Sequence, residues 1–220
     1  MLLSSKLFII VFIAFFVSAS PARAQQSSAN EVYQFLTLPY SAKATALGGI
    51  NISHLGSDLG LAMYNPALLD PSMDKTIHLS VKSYFSNIQQ YDFSGAHYLP
   101  KKKWIIGWGL HYMGYGNINM TDVSGNEMGN FLANDYVAQV SMASLFKKNI
   151  NLGATLKLIQ SNYGIYKSTG LAMDLSMVYT SSNRLLRASI LANNVGGQLS
   201  SYTEKERLPL NIIMGVSKKL

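Results

Sequence analysis

Four histidines and a few nearby carboxylates are the only side chains whose types suggest catalysis in this chain. His54 and Asp58 stand four residues apart, a spacing at which two ligands could reach one metal ion. Two ligands do not complete a tetrahedral site, and nothing nearby in the sequence adds a third. His78, His97 and His111 fall on alternating segments, where a His–Ser pair on a membrane wall could cleave a lipid ester. Each stands without an Asp or Glu at a sequence spacing that would orient the ring as a base. The chain contains no cysteine, so thiolate chemistry and disulfides are both excluded. These counts predict no enzyme, no metal and no cofactor. A different possibility attaches to Gly107, Gly109, Gly114 and Gly116, because glycine in a strand marks a bulge or a close approach. Such a series could open a wall to a hydrophobic molecule, or simply make room for a packed segment.

The elements that would carry these residues alternate with a period of two. Trp104, Ile106, Trp108, Leu110 and Tyr112 share one face, opposed by Ile105, Gly107, Gly109 and His111. Leu152, Ala154, Leu156 and Leu158 oppose Gly153, Thr155 and Lys157. Leu171, Met173, Leu175, Met177 and Tyr179 oppose Ala172, Asp174 and Ser176. Similar patterns cover 76–85, 91–99, 136–146, 185–193 and 210–216, giving eight strand candidates. Alternating segments of about ten residues suit strands that cross a membrane as a barrel. One face is large and apolar. The other is small or polar, as suits a filled or wet lumen.

Composition points the same way. Residues 1–24 read as a cleavable signal peptide: Lys6 begins it, Leu7 to Val17 is its apolar core, and Ala22-Arg23-Ala24 is the cleavage site. Without the leader the charge falls from +7 to +5, because Lys6 and Arg23 leave with it. The remaining basic residues cluster as Lys101-Lys102-Lys103, Lys147-Lys148 and Lys218-Lys219, a turn pattern that does not suggest a nucleic-acid partner. Charged residues make up 13% of the chain and apolar ones 48%, which is lean in charge for a secreted soluble domain.

The segment 25–75 differs from everything after it. It alternates nowhere, and it contains the turn signals Leu47-Gly48-Gly49 and Asn65-Pro66. It reads as a plug or hatch, with 76–220 as the barrel wall. Connections at 86–90, 100–102, 147–149 and 181–183 read as short, whereas 113–134, 161–168 and 194–207 read as longer loops. Short turns on one side and longer loops on the other fit an outer-membrane barrel. An eight-stranded barrel has room only for its own side chains. The plug therefore implies that this chain is a truncated product, or that the plug lies outside the lumen.

Phe35-Leu36-x-Leu38-Pro39-x-Ser41-Ala42, then Ala46-Leu47-Gly48-Gly49 and Asn65-Pro66-Ala67-Leu68, resembles the amino-terminal region of the PorV/PorQ family. Tyr33-Gln34-Phe35-Leu36 leans towards PorQ. The resemblance implies a FadL-like transmembrane β-barrel in a Bacteroidota-type outer membrane. That family builds fourteen strands where this chain supplies about eight. It also implies a non-enzymatic part in type IX secretion, within the complex that receives secreted cargo and fixes it to the cell surface. Its partners would be other attachment-complex proteins, secreted cargo and outer-membrane lipid. On this resemblance Leu47, Gly48, Gly49, Asn65, Pro66, Ala67 and Leu68 hold the plug, and the loops 113–134 and 194–207 are docking surfaces. The alternative is a FadL-like transporter of hydrophobic small molecules.

Overall fold

The computed structural model describes residues 31–219; the leader at 1–24 lies outside the described residues. The fold is all-β. Eight antiparallel strands form one sheet in sequence order: β1 (Ile77–Ser83), β2 (Gln89–Leu99), β3 (Trp104–Thr121), β4 (Glu127–Lys147), β5 (Ile150–Tyr163), β6 (Tyr166–Thr180), β7 (Leu186–Ser200) and β8 (Asn211–Lys218). The edges β1 and β8 do not pair with each other, so the sheet is open.

All three of the expected longer loops are partly strand. β3 and β4 pair through Thr121↔Glu127, leaving only 122–126 as a turn where 113–134 reads as a loop. β7 continues to Ser200, and β5 and β6 pair up to Tyr163↔Tyr166 around the turn 164–165. The reason is that polar, Asn-rich sequence still satisfies its backbone groups best in a ladder. The connections therefore do not sort by length into two sides. What differs is strand length, with the β3–β4 hairpin the longest.

The sheet is strongly curved around residues 31–74. Eight strands spaced about 4.8 Å apart would separate their edges by roughly 34 Å if flat. Yet the amide of Ala42 donates to Ser80 Oγ on β1 (3.2 Å), while Ser53 Oγ lies 2.8 Å from Ser217 Oγ on β8. One short stretch of plug reaches both edges, so the wall wraps it. The segment enters at the far end, where Val32 N donates to the Arg207 carbonyl (2.9 Å). It leaves at the near end, where the Asp74 carboxylate accepts from Tyr98 N (2.8 Å) and contacts His97 Nδ1 (2.9 Å).

The core lies between plug and wall. Near the turn end, Ile52, Leu59, Ala62, Met63, Leu69 and Met73 pack on Ala96, Ile105, Ala143, Val178 and Leu191. Near the far end, Val32, Phe35 and Leu36 pack on Met113, Val137, Ile159 and Ala172. The wall's small and polar face is thus the buried one. Its large apolar face, including Leu79, Leu110, Val140, Leu156, Leu175, Ile212 and Val216, is exposed.

Candidate functional site: the plug against the polar face of the wall

Residues 31–74 hold only short helical turns, and all but the first, Gln34–Thr37, are started by a side-chain cap. Ser41 Oγ accepts from Ala44 N (3.0 Å) at helix α1 (Ala42–Ala46), and Asp58 Oδ1 accepts from Leu61 N (3.0 Å) at helix α2 (Leu59–Ala62). Asn65 Oδ1 accepts from Ala67 N (3.1 Å) at the 3-10 turn Pro66–Leu68, with Pro66 at the first helical position, where its missing N–H costs nothing.

Asn65, Pro66, Ala67 and Leu68 come together at the wall and are buried. The Asn65 amide donates to the Ile52 carbonyl (2.7 Å) and to Ser189 Oγ (2.9 Å), tying plug to plug and plug to β7. Ala67 N also reaches Ser176 Oγ on β6 (2.9 Å), and Asn151 Nδ2 donates to the carbonyls of Ala67 (2.7 Å) and Leu69 (3.1 Å). The turn lies so close to β5 that a Cβ on Gly153 would stand 2.3 Å from Ala67 N. Leu47, Gly48 and Gly49 are elsewhere. They end α1, with Gly49 N donating to the Ala44 carbonyl (2.8 Å) at φ +111°, and Leu47 is 57% exposed.

Trp104, Ile106, Trp108, Leu110 and Tyr112 share the outer face of β3, alternating with buried Ile105, Gly107, Gly109 and His111. The glycines divide into two kinds. A Cβ on Gly107 or Gly109 would press on Met63, and on Gly107 also on Leu69, so these two make room for the plug. Gly114 and Gly116 lie at the register break between Gly114 and Asn117, away from the plug.

The histidines are not all isolated. In the β2–β3 ladder Asp92 stands directly opposite His111, and Asp92 Oδ1 lies 2.8 Å from His111 Nδ1. The pair lies 19 residues apart in sequence, and register brings it together. His111 is buried and stacks on Tyr40 of the plug, with centroids 3.9 Å apart and planes 16° apart. Among the described residues its Nε2 has no hydrogen-bond partner. Asp92 also pairs with Lys82 (3.3 Å), whose ammonium donates to the Pro39 carbonyl. No hydrogen bond or ion pair joins His54 to Asp58 among the described residues. Asp58 instead pairs with Lys43 (2.9 Å), and although burial raises its carboxyl pKa, the Lys43 contact and the Leu61 amide outweigh this and hold it below the ordinary value.

On the other side of Tyr40 is a feature that sequence reasoning missed. Lys157 and Asp174 form an ion pair (2.7 Å) at 0% exposure. The β6–β7 register shifts here, so that Asn193 and Asn194 together oppose Asp174, a β-bulge with Asn194 at φ +60°. Both side chains turn inward and accept from Lys157 Nζ (3.0 and 2.9 Å), and Asn194 N donates to Asp174 Oδ1 (2.8 Å). Lys157 sits 5.9 Å from the Tyr40 ring centroid. The stack His111–Tyr40–Lys157 fixes the middle of the plug to β3 and β5. Asn-Asn in a strand and a lone Lys at an inward position were the available signals, but only register joins them.

No family model matches this chain, and no curated protein matches it either.

Proposed function

We propose that the chain is the plugged wall of an outer-membrane β-barrel, and that it serves type IX secretion as a component of the surface attachment complex. There it anchors a surface partner and receives secreted cargo without performing catalysis. The observation that carries the membrane reading is the inversion of the sheet: the face rich in Leu, Val, Ile, Met and aromatics is exposed, and the face with Lys157, Asp174, Asp92 and His111 is buried. In water that inversion would leave a large apolar surface unpartnered. Against lipid tails it is the expected arrangement.

Aromatic rows support the same reading. Tyr91, Tyr112 and Tyr136 stand side by side across β2, β3 and β4, with centroids 5.9 and 5.0 Å apart. Trp104, Phe146 and Tyr179 lie at the near ends of their strands, with Lys102 over Trp104 and Lys147 over Phe146. Trp104 and Tyr112 are eight positions apart, about 26 Å along a strand. That compares with an apolar band of about 25 Å between aromatic girdles, before tilt is taken into account. The β3–β4 hairpin continues past the tyrosine row to the turn 122–126, and with 201–210 it supplies the far-end surface for a partner.

The secretion role rests on the resemblance of residues 33–49 and 65–68, and on a plug fastened to both edges of the wall. A FadL-like transporter is the second reading, favoured by Gly114 and Gly116 at the register break, where a wall could part. Affinity purification of the tagged protein from native outer membranes, with mass spectrometry of proteins and lipids, separates the two. Co-purifying surface proteins, and loss of surface display on gene deletion, fit the secretion reading. Hydrophobic ligands without protein partners, with display intact, would replace it with transport.

A further inference from the structure

Asp135 on β4 is only 2% exposed, yet its partners are all neutral. The Tyr115 hydroxyl donates to Oδ2 (2.5 Å), the Ser161 hydroxyl donates to Oδ1, and the Tyr202 hydroxyl donates in turn to Ser161. Among the described residues no Lys, Arg or His lies within ion-pair distance of it, whereas Asp92 and Asp174 each have a lysine. The Tyr163 hydroxyl also bonds to it, so of the roughly four acceptor positions of a carboxylate about one remains open. The same carboxylate lines a cavity of about 240 Å³ at the far end, between the start of the plug, Tyr115, Tyr163 and Tyr202, with Glu31 and Glu206 also on its wall. No basic side chain lines it. A second cavity of about 260 Å³, lined by Tyr163, Tyr166, Tyr202 and Thr203, shares two of its walls. The rings are set at angles, Tyr115 to Tyr163 at 5.7 Å and Tyr163 to Tyr202 at 5.8 Å edge-on.

Aromatic faces attract cations through their ring quadrupoles, and a buried carboxylate without a counter-ion gains most from one. We propose that this far-end cavity binds an ammonium or guanidinium group, with Asp135 as its counter-ion and Tyr163 and Tyr202 as its walls. The volume lies below the roughly 300–1,000 Å³ of drug-sized sites, which suits one side chain or a small amine. The group could belong to a free amine or to an Arg or Lys presented by a protein. The inference does not depend on the secretion reading.

Isothermal titration of the full chain in lipid nanodiscs tests it, with three probes: Nα-acetyl-arginine methyl ester, its neutral isostere Nα-acetyl-citrulline methyl ester, and a blocked Gly-Arg-Gly tripeptide. The arginine ester is expected to bind at least tenfold more tightly than the citrulline ester and to weaken as salt rises. Asp135→Asn should lose at least tenfold. Tyr163→Leu, which keeps the carboxylate, should lose severalfold and covers the case in which Asp135→Asn fails to fold. Tripeptide binding alongside the ester identifies a protein-borne side chain as an acceptable source; ester binding alone identifies a small amine. Equal binding of the two esters, no heat from any probe at millimolar concentration, or unchanged binding in a folded Asp135→Asn variant would overturn the proposal.

Discussion

The two faces of β5 obey opposite rules. Leu156 is 55% exposed, and the next residue, Lys157, is 0% exposed. Outward positions Leu152, Leu156 and Leu158 are all exposed. Inward positions Gly153, Thr155 and Lys157 each answer a particular partner: the backbone of Ala67, the hydroxyl of Ser141 (2.8 Å) and the Asp174 carboxylate. The outer face is therefore an exposed apolar surface, and the inner face is a set of individual locks. In a soluble sheet the specific packing and the apolar surface share one face; here they are separated.

The largest expected effect breaks an inner lock. Lys157→Ala leaves Asp174 buried without a counter-ion and should cost about 3–5 kcal/mol, whereas a paired Lys157→Met, Asp174→Leu change should recover much of it. Urea unfolding in lipid vesicles reads both. Next comes the outer face. Leu156→Arg should cost about 2–4 kcal/mol in a bilayer if β5 crosses near its midplane, against little for Leu156→Val. Gly153→Ala drives a methyl into the Ala67 backbone and should cost about 1–3 kcal/mol. Limited proteolysis should then cut within 50–70 before the wall unfolds. The smallest effect is at the plug's surface. Asp58→Ala removes a cap worth about 1 kcal/mol at neutral pH. Because the Asp58 pKa is depressed on folding, its contribution is present above about pH 4, the ordinary value, and fades as pH falls through the native one. Variant and parent should accordingly converge in thermal stability on acidification.

This separation explains what was legible in the sequence. Alternation such as Trp104 to Tyr112 states a strand and its two faces without any tertiary information, and all eight strands lie where the pattern places them. The break at Ile77 between irregular segment and wall was legible for the same reason. Strand ends were not, because the ladder between Asn117 and Thr121 on β3 and Glu127 and Leu132 on β4 is bounded by register shifts at Gly114/Asn117 and Met120/Thr121, which interrupt the alternation. Nor were the locks legible. Asp92 meets His111, and Asn193 and Asn194 meet Lys157, through register and a bulge, which leave no periodic trace. Asp135 looked like any inward polar residue until Tyr115, Ser161 and Tyr202 were placed around it.

The inverted wall is tested most directly by spin labels read in lipid vesicles. The absence of native cysteine lets single-cysteine variants be labelled at consecutive positions 154 to 159 without background. With oxygen as the lipid-soluble relaxant and a nickel chelate as the aqueous one, labels at Ala154, Leu156 and Leu158 should be accessible to oxygen and shielded from nickel. Those at Thr155 and Ile159 should be shielded from both by the plug. Nickel reaching Leu156 and Leu158 as freely as a surface loop such as 122–126 would contradict a lipid-facing wall.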